Sequence, residues 1–259
     1  MFLQFVDAIG YTTLSLCDKI GRFVVFLVKA LQTLFTTKLK YHKTFVQMRR
    51  IGVDSLTIAV LTGTFTGMVL ALQSFIGFQR VGGEQFIGSI VALGMVRELG
   101  PVLTALMVTG RAGSAITAEI GTMNITEQID ALKTLRINPF QYLIVPRIIG
   151  GTLILPFLTI FAMICGIIGG YVICVQVLGL SPEDFINSIK SYLELTDIRD
   201  GLIKALFFGF ILTWVGTYQG FKASGGARGV GQSTTQSVVT SSIMILISNY
   251  FLTKLLAQL

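Results

Sequence analysis

Five stretches of this chain are long and apolar enough to cross a bilayer, and that limits the fold before any motif is considered. A hydrocarbon core about 30 Å thick needs about 20 apolar residues in a helix, because lipid offers backbone N–H and C=O groups no partner. Residues 55–78, 86–110, 148–178, 205–221 and, with a less clean start, 238–253 meet that requirement. The third has length to spare for a tilt or for a break at Pro156, and the fourth is near the minimum. At 53% hydrophobic and 13% charged residues, the 259-residue chain lies outside the range of soluble domains.

The N-terminal region has a different character. Asp7, Asp18, Lys19 and Arg22 leave no charge-free core for a cleavable signal peptide. Ile20, Phe23, Val24, Leu27, Leu31, Leu34 and Phe35 recur at helical spacing beside Lys19, Arg22 and Lys29, which predicts an amphipathic helix lying in the membrane interface. A short sixth span is the other reading of the same residues. Eight Lys or Arg fall in residues 1–50, four in 111–147 and two in 222–228, so these segments are expected in the cytoplasm. The segment 183–204 carries five acids and is expected outside, with the N-terminus cytoplasmic and the C-terminus periplasmic. The net charge of +7 is thus a topology signal. It does not point to nucleic acid, because the basic residues flank the spans and form no aromatic-interleaved patch.

Several chemistries drop out on residue inventory. Cys165 and Cys174 are nine positions apart on one helix, about 13 Å along its axis, too far to share a metal. Cys17 and the single histidine, His42, stand apart from them, so zinc, haem and nucleophile-base sites lack their residues. GARGVGQS at 226–233 matches a phosphate loop except that Gln232 replaces the lysine, and it follows a membrane helix instead of a strand. It reads as a flexible cytoplasmic turn, and the chain as lacking an ATP site.

Within the spans, the residues that hydrocarbon excludes are informative. Arg97 and Glu98 lie mid-span and are followed by Gly100-Pro101, where Pro101 frees the carbonyl of Arg97 and predicts a broken helix. Neighbours in sequence point about 100° apart, so each charge needs a partner on another helix or subunit. The pair either fixes helix packing or faces substrate. Gly63, Gly67 and Ala71 form a small-residue stripe for close helix packing, as do Gly166 and Gly170. Thr66, Leu70, Gln73 and Ser74 set polar among apolar groups, as a cavity for an amphiphile would.

Between the second and third spans lies TEQIDALKTLRINPFQYLIVPR at 126–147, charged where its surroundings are not. Ile125, Ile129, Leu132 and Leu135 or Arg136 fall at helical spacing, Glu127, Asp130 and Lys133 cover the remaining surface, and Asn138-Pro139 is expected to stop the helix. Such a helix can dock into a groove on another protein or lie solvated on the membrane. The fold class expected from these elements is all-α integral membrane: about five transmembrane helices, an N-terminal interfacial amphipathic helix and a cytoplasmic coupling helix. Residues 1–50 form the N-terminal helical segment, and 51–259 the polytopic domain with its coupling segment at 111–147.

Glu127, Ala131, Pro139 and Ile144-Val145-Pro146 resemble the loop by which importer permeases insert into an ATPase subunit, with Arg136 standing where that loop usually has glycine. VALGMVRELGPVLTALMVTGRAGSAITAEIG at 91–121, followed by Thr126-Glu127-Gln128, Asn138-Pro139 and Pro146-Arg147, is more specific and is similar to the MlaE permease family. The likeness extends from GMVLALQ at 67–73 to TTQSVV at 234–239. It implies a permease subunit of an ABC transporter that moves phospholipid between inner and outer membranes. Its implied partners are a second copy, an ABC ATPase subunit, a periplasmic MCE lipid-binding protein and a small STAS-type regulatory subunit. It further implies Arg97 and Glu98 near a lipid cavity, and Glu119, Glu127 and their neighbours Asp130, Lys133 and Arg136 in the coupling region. No cofactor is expected in the chain itself, since ATP and Mg²⁺ would sit on the ATPase.

Physics favours the same division of labour. Five spans can hardly enclose a path for a two-tailed lipid, whereas a two-fold dimer meeting on its small-residue faces can. Exposing a lipid costs about 0.8 kcal/mol per methylene, which calls for an energy source that this chain lacks. A secondary transporter or channel would show further intramembrane carboxylates and an internal repeat, and a lipid-modifying enzyme a cluster of catalytic side chains. Glu98 is the only mid-span acid and RELGP occurs once.

Overall fold

The computed structural model describes residues 2–37, 39–80, 82–256 and 258. Every regular element among them is helical. In chain order they are α1 (Phe2–Thr36), α2 (Tyr41–Phe78), α3 (Glu84–Ile125), α4 (Gln128–Thr134), α5 (Phe140–Val177), α6 (Pro182–Tyr192), α7 (Leu195–Lys222) and α8 (Gly226–Leu256). Five of these, α2, α3, α5, α7 and α8, are long and apolar enough to span a membrane. They coincide with the five apolar stretches but run well past them, because the polar residues at their ends find partners and the helices continue.

The extension is largest at three places. α3 runs to Ile125, so the first fifteen residues of the expected coupling segment 111–147 belong to a span. α7 opens at Leu195, ten residues before the apolar run, on a capping box in which Glu194 and Asp197 each accept the other's backbone N–H. α8 opens at Gly226, so the phosphate-loop look-alike forms helical turns and not the flexible turn expected of it. A side chain at Gly229 would collide with the Ser224 carbonyl, and Gly225 and Gly226 take positive φ of 86° and 71° to make the sharp approach. Those glycines serve helix entry. α2 is continuous through residue 50, where the sequence division was drawn.

The helix-breaking prolines act less severely than the sequence suggests. α3 is not broken at Gly100-Pro101; a π-turn at Met95–Leu99 absorbs the irregularity, and a second π-turn follows at Thr109–Gly113. Pro156 sits inside a continuous stretch of α5, whose π-turns lie instead at its two ends.

α5 is the central helix, with α2 along one side and α7 along the other. Gly63 and Gly67 of α2 lie against Ala162 and Gly166 of α5, so close that a Cβ at Gly63 would be 2.8 Å from the Ala162 Cα. Gly170 faces Gly67 and Ala71 in the same seam. The two small-residue stripes therefore pack against each other inside one chain and are not left free for a second copy, which corrects the dimer argument drawn from them. α8 is the least enclosed span and exposes Val239, Ile243, Leu246, Tyr250 and Phe251.

α1 is one unbroken helix of 35 residues. Its rotation about its own axis sets Phe26, Ala30 and Thr33 against the helical body, while Ile20, Val24 and Phe35 of the apolar face stay exposed. Aromatic contacts set that rotation, with Phe23 stacked on Trp214 at 4.1 Å and Phe26 packed among Phe140, Tyr218 and Phe221.

Candidate functional site

A charged cluster assembles where the Met95–Leu99 π-turn of α3 faces the start of α7 and the end of α8. Pro101 leaves the Arg97 carbonyl without its helical donor, and Lys204 Nζ of α7 donates to that carbonyl at 2.8 Å. The same ammonium donates to Glu98 Oε1 at 2.7 Å and to Thr253 Oγ1 at 2.8 Å, which uses all three of its N–H bonds. Glu98 Oε2 accepts Asn249 Nδ2 of α8 at 3.0 Å, and the Thr253 hydroxyl donates to Oε1 at 3.0 Å. Arg97 pairs with Asp197 at 3.1 Å, and Asp197 is at the same time the capping residue of α7.

Two spans, α3 and α7, are thus joined by opposite charges, and α8 is tied to them by the neutral Asn249 and Thr253. Lys204 is 2% exposed, whereas the Glu98 side chain keeps 39% of its surface open and that of Arg97 50%. The open side is a cavity of about 320 Å³ that Arg97, Glu98, Asp200, Lys204 and Thr253 line. Further along the same α7–α8 seam is an apolar cleft of about 360 Å³ walled by Phe207, Phe210, Trp214, Met244 and Phe251. A polar pocket followed by an apolar cleft on one helix pair has the shape of an amphiphile site.

The cluster brings together Arg97 and Glu98 from the sequence reading but not the others. Thr66, Leu70, Gln73 and Ser74 lie on α2 and do not line this cavity; Leu70 packs on Gly94, and Ser74 is buried. Sequence reasoning missed Asp197, Lys204, Asn249 and Thr253. Their signal was present: 197, 200 and 204 fall on one helical face, as do 249 and 253.

The connector shrinks to residues 126–139, with α4 only seven residues long. Ile129 is its buried anchor, while Glu127, Asp130, Lys133 and Arg136 are exposed. Asp130 and Lys133 pair with each other at 2.7 Å, a surface contact that adds little stability. The helix ends at Thr134 and not at Asn138-Pro139: Arg136 adopts φ +57° and Ile137 N–H returns to the Leu132 carbonyl, the ending that glycine ordinarily supplies. Asn138 instead starts the next helix, its Oδ1 accepting the Phe140 N–H at 2.9 Å. Leu135, at one end of the hydrophobic edge read from the spacing, is 70% exposed. Glu119 is outside the connector, in the last turns of α3, where it holds Arg147 of α5 at 3.0 Å and Arg50 of α2 at 3.4 Å.

Among the described residues no three His, Cys, Asp or Glu side chains gather to hold a metal ion. Residues 44–255 match the family described as Permease MlaE. A probable ABC transporter permease protein of Rickettsia bellii is 42% identical over 255 residues, 98% of either chain. The intermembrane phospholipid transport system permease protein MlaE of Haemophilus influenzae is 35% identical over 257 residues, 99% of this chain and 98% of that one. Protein TRIGALACTOSYLDIACYLGLYCEROL 1, chloroplastic, of Arabidopsis thaliana is 39% identical over 221 residues, 85% of this chain and 63% of its own. Matched over nearly its whole length and through all five spans, the chain belongs to the MlaE permease family.

Proposed function

We propose that this chain is the membrane-spanning half of an ABC transporter that moves phospholipid between inner and outer membranes, driven by a separate ATPase. The observation that carries the reading is the α7–α8 seam, which holds a charge-lined pocket and, further along, an aromatic-walled cleft. A phospholipid presents the matching pair of surfaces, a charged headgroup and acyl chains. The uncovered apolar face of α8 supports closure of this half-open site by a second copy related by two-fold symmetry. The Haemophilus relative's name supports phospholipid as the cargo. The Lys and Arg distribution supports an inner-membrane orientation with the connector and N-terminus in the cytoplasm and the C-terminus in the periplasm, where an MCE-type lipid carrier would receive or deliver cargo. A small STAS-type subunit belongs to the same proposed assembly.

In this reading α4 is the part an ATPase grips, because Glu127, Asp130, Lys133, Leu135 and Arg136 stand clear of the helical body on a short helix anchored by Ile129. The tagged chain extracted in mild detergent is expected to co-purify with an ATPase subunit. Charge reversal at Glu127 and Asp130 together is expected to weaken that association about tenfold, as loss of two charge-assisted contacts would. Recovery of the chain alone from cells making the whole system, or unchanged association in the double variant, would overturn the coupling role of α4.

The seam is tested separately in vesicles containing the assembled complex. Arg97→Ala is expected to slow ATP-dependent transfer of a fluorescent phospholipid about tenfold or more while the complex stays assembled. Normal transfer by that variant would leave Arg97 a packing role only.

A further inference from the structure

A second polar pocket, of about 380 Å³, lies on the connector side of the fold, where α2 begins, α3 ends and α5 begins. Its chemistry is unlike that of the α7–α8 seam. Among its lining residues are Lys43, Arg50 and Arg147, and Glu119 is the only acid there. Both guanidinium groups turn to that one carboxylate, Arg147 Nη2 at 3.0 Å and Arg50 Nη1 at 3.4 Å, so the trio keeps a positive charge in excess. Lys43 Nζ rests on the Tyr142 ring, 2.7 Å from its centroid, and Lys40 Nζ lies 4.7 Å from the same centroid. A phenol ring stabilises an ammonium only partly and neutralises none of its charge. Three cations, Lys43, Arg50 and Arg147, thus line the pocket with one carboxylate, and Lys40 adds a fourth beside the Tyr142 ring.

Burial makes the imbalance consequential. Arg147 is 3% exposed, its Nη1 bonded to the Leu143 carbonyl at 2.8 Å, and its Nε is enclosed without an acceptor among the described residues. A buried guanidinium ordinarily has its charge and its donors matched, since an unmatched one is costly to desolvate. Here Glu119 is shared and half-open, and the excess faces a cavity. The guanidinium is held rigidly by Glu119 and Leu143, so an incoming anion meets a preorganised field and pays little to order it.

We propose that this pocket is a binding site for a phosphate-bearing anion, with Lys43 and Arg50 as the accessible contacts and Arg147 as the fixed positive floor. The volume admits a phosphoryl group with a small organic substituent, such as the headgroup of an anionic phospholipid at the membrane surface. Free phosphate offers the same chemistry. The site goes beyond the transport reading and does not depend on it, because binding to the purified full chain needs neither turnover nor partners. Its position has a consequence for the connector: Glu119 and Arg147 tie together the two helices from which residues 126–139 spring, so an anion competing for the arginines would act at the connector's root.

The test is equilibrium binding to the full-length chain in a neutral, phosphate-free detergent, with short-chain phosphatidate and inorganic phosphate as separate probes. Saturable phosphatidate binding is expected, weakened about tenfold in both Lys43→Ala and Arg50→Gln, each of which leaves buried Arg147 paired. Lys190→Gln, which removes one positive charge from α6 at the far end of the fold, is the control and is expected to bind as the parent does. Displacement of phosphatidate by millimolar phosphate would support the proposal with phosphate itself as a sufficient ligand. No displacement alongside the same variant losses would support it with the lipid headgroup as the source. Absence of saturable binding by either probe would overturn it. So would equal loss in Lys190→Gln, or unchanged affinity in both pocket variants.

Discussion

Glu98→Ala is expected to lower the unfolding free energy by about 2–3 kcal/mol, and restoring balance by also removing Lys204 is expected to recover part of it. Among the described residues the carboxylate is the sole anionic partner of an ammonium that is 2% exposed, so its loss leaves an uncompensated charge among three packed spans. The penalty falls short of that for a fully buried pair because Glu98 keeps 39% of its side chain open and the Arg97 carbonyl and Thr253 hydroxyl still serve Lys204. Lys204→Met fills the space with an apolar chain but strands the Arg97 carbonyl that Pro101 freed, so it is expected to be the more damaging single change. Thermal unfolding of the three variants in detergent checks this. A double variant as unstable as the sum of the singles would show that Glu98 and Lys204 act independently, contrary to the 2.7 Å contact.

The same cluster shows what was legible in the sequence and what was not. Arg97 and Glu98 stood out because hydrocarbon excludes them, and so did the need for partners on other helices. Lys204 did not stand out, because three acids at 194, 197 and 200 made its surroundings look like an aqueous loop. In the fold those charges are spent: Glu194 and Asp197 cap α7, Asp197 also takes Arg97, and Asp200 takes Arg199 at 3.0 Å. A hydropathy window counts such residues as polar without knowing that they are paired, and so begins the span ten residues late. The five apolar stretches were readable because lipid imposes length and composition together. π-turns were not, since they depend on which neighbour can take up a freed carbonyl. α1 shows a similar limit: its pattern fixes a helix with an apolar side, but Trp214 and Tyr218 on a distant helix select which residues dock on the body.

Gly67→Val is expected to have the largest effect of any single change in the molecule and to abolish recovery of monodisperse protein. The helices α2 and α5 touch backbone to backbone here, and even a Cβ at Gly67 would overlap the Gly166 carbonyl. No rotamer of a flexible neighbour can relieve that overlap, because the obstructing atoms are main chain. The two helices must therefore separate along the seam that also holds Gly63, Ala162, Gly170 and Ala71, and they lose close packing over several turns. Van der Waals contact is the main attraction between spans in lipid, so the loss exceeds the usual overpacking cost of about 1–3 kcal/mol. Gly63→Ala is expected to show the same defect in milder form, since its Cβ would lie 2.8 Å from the Ala162 Cα. Gly77→Ala, at the penultimate residue of α2 where an added Cβ would meet nothing within 4 Å, is expected to fold normally and to gain up to about 1 kcal/mol of helix propensity. Size-exclusion profiles and melting curves of the three variants separate backbone proximity from a general intolerance of substitution in α2. Because this seam is internal, its failure should appear in the isolated chain, before any second copy or ATPase is added.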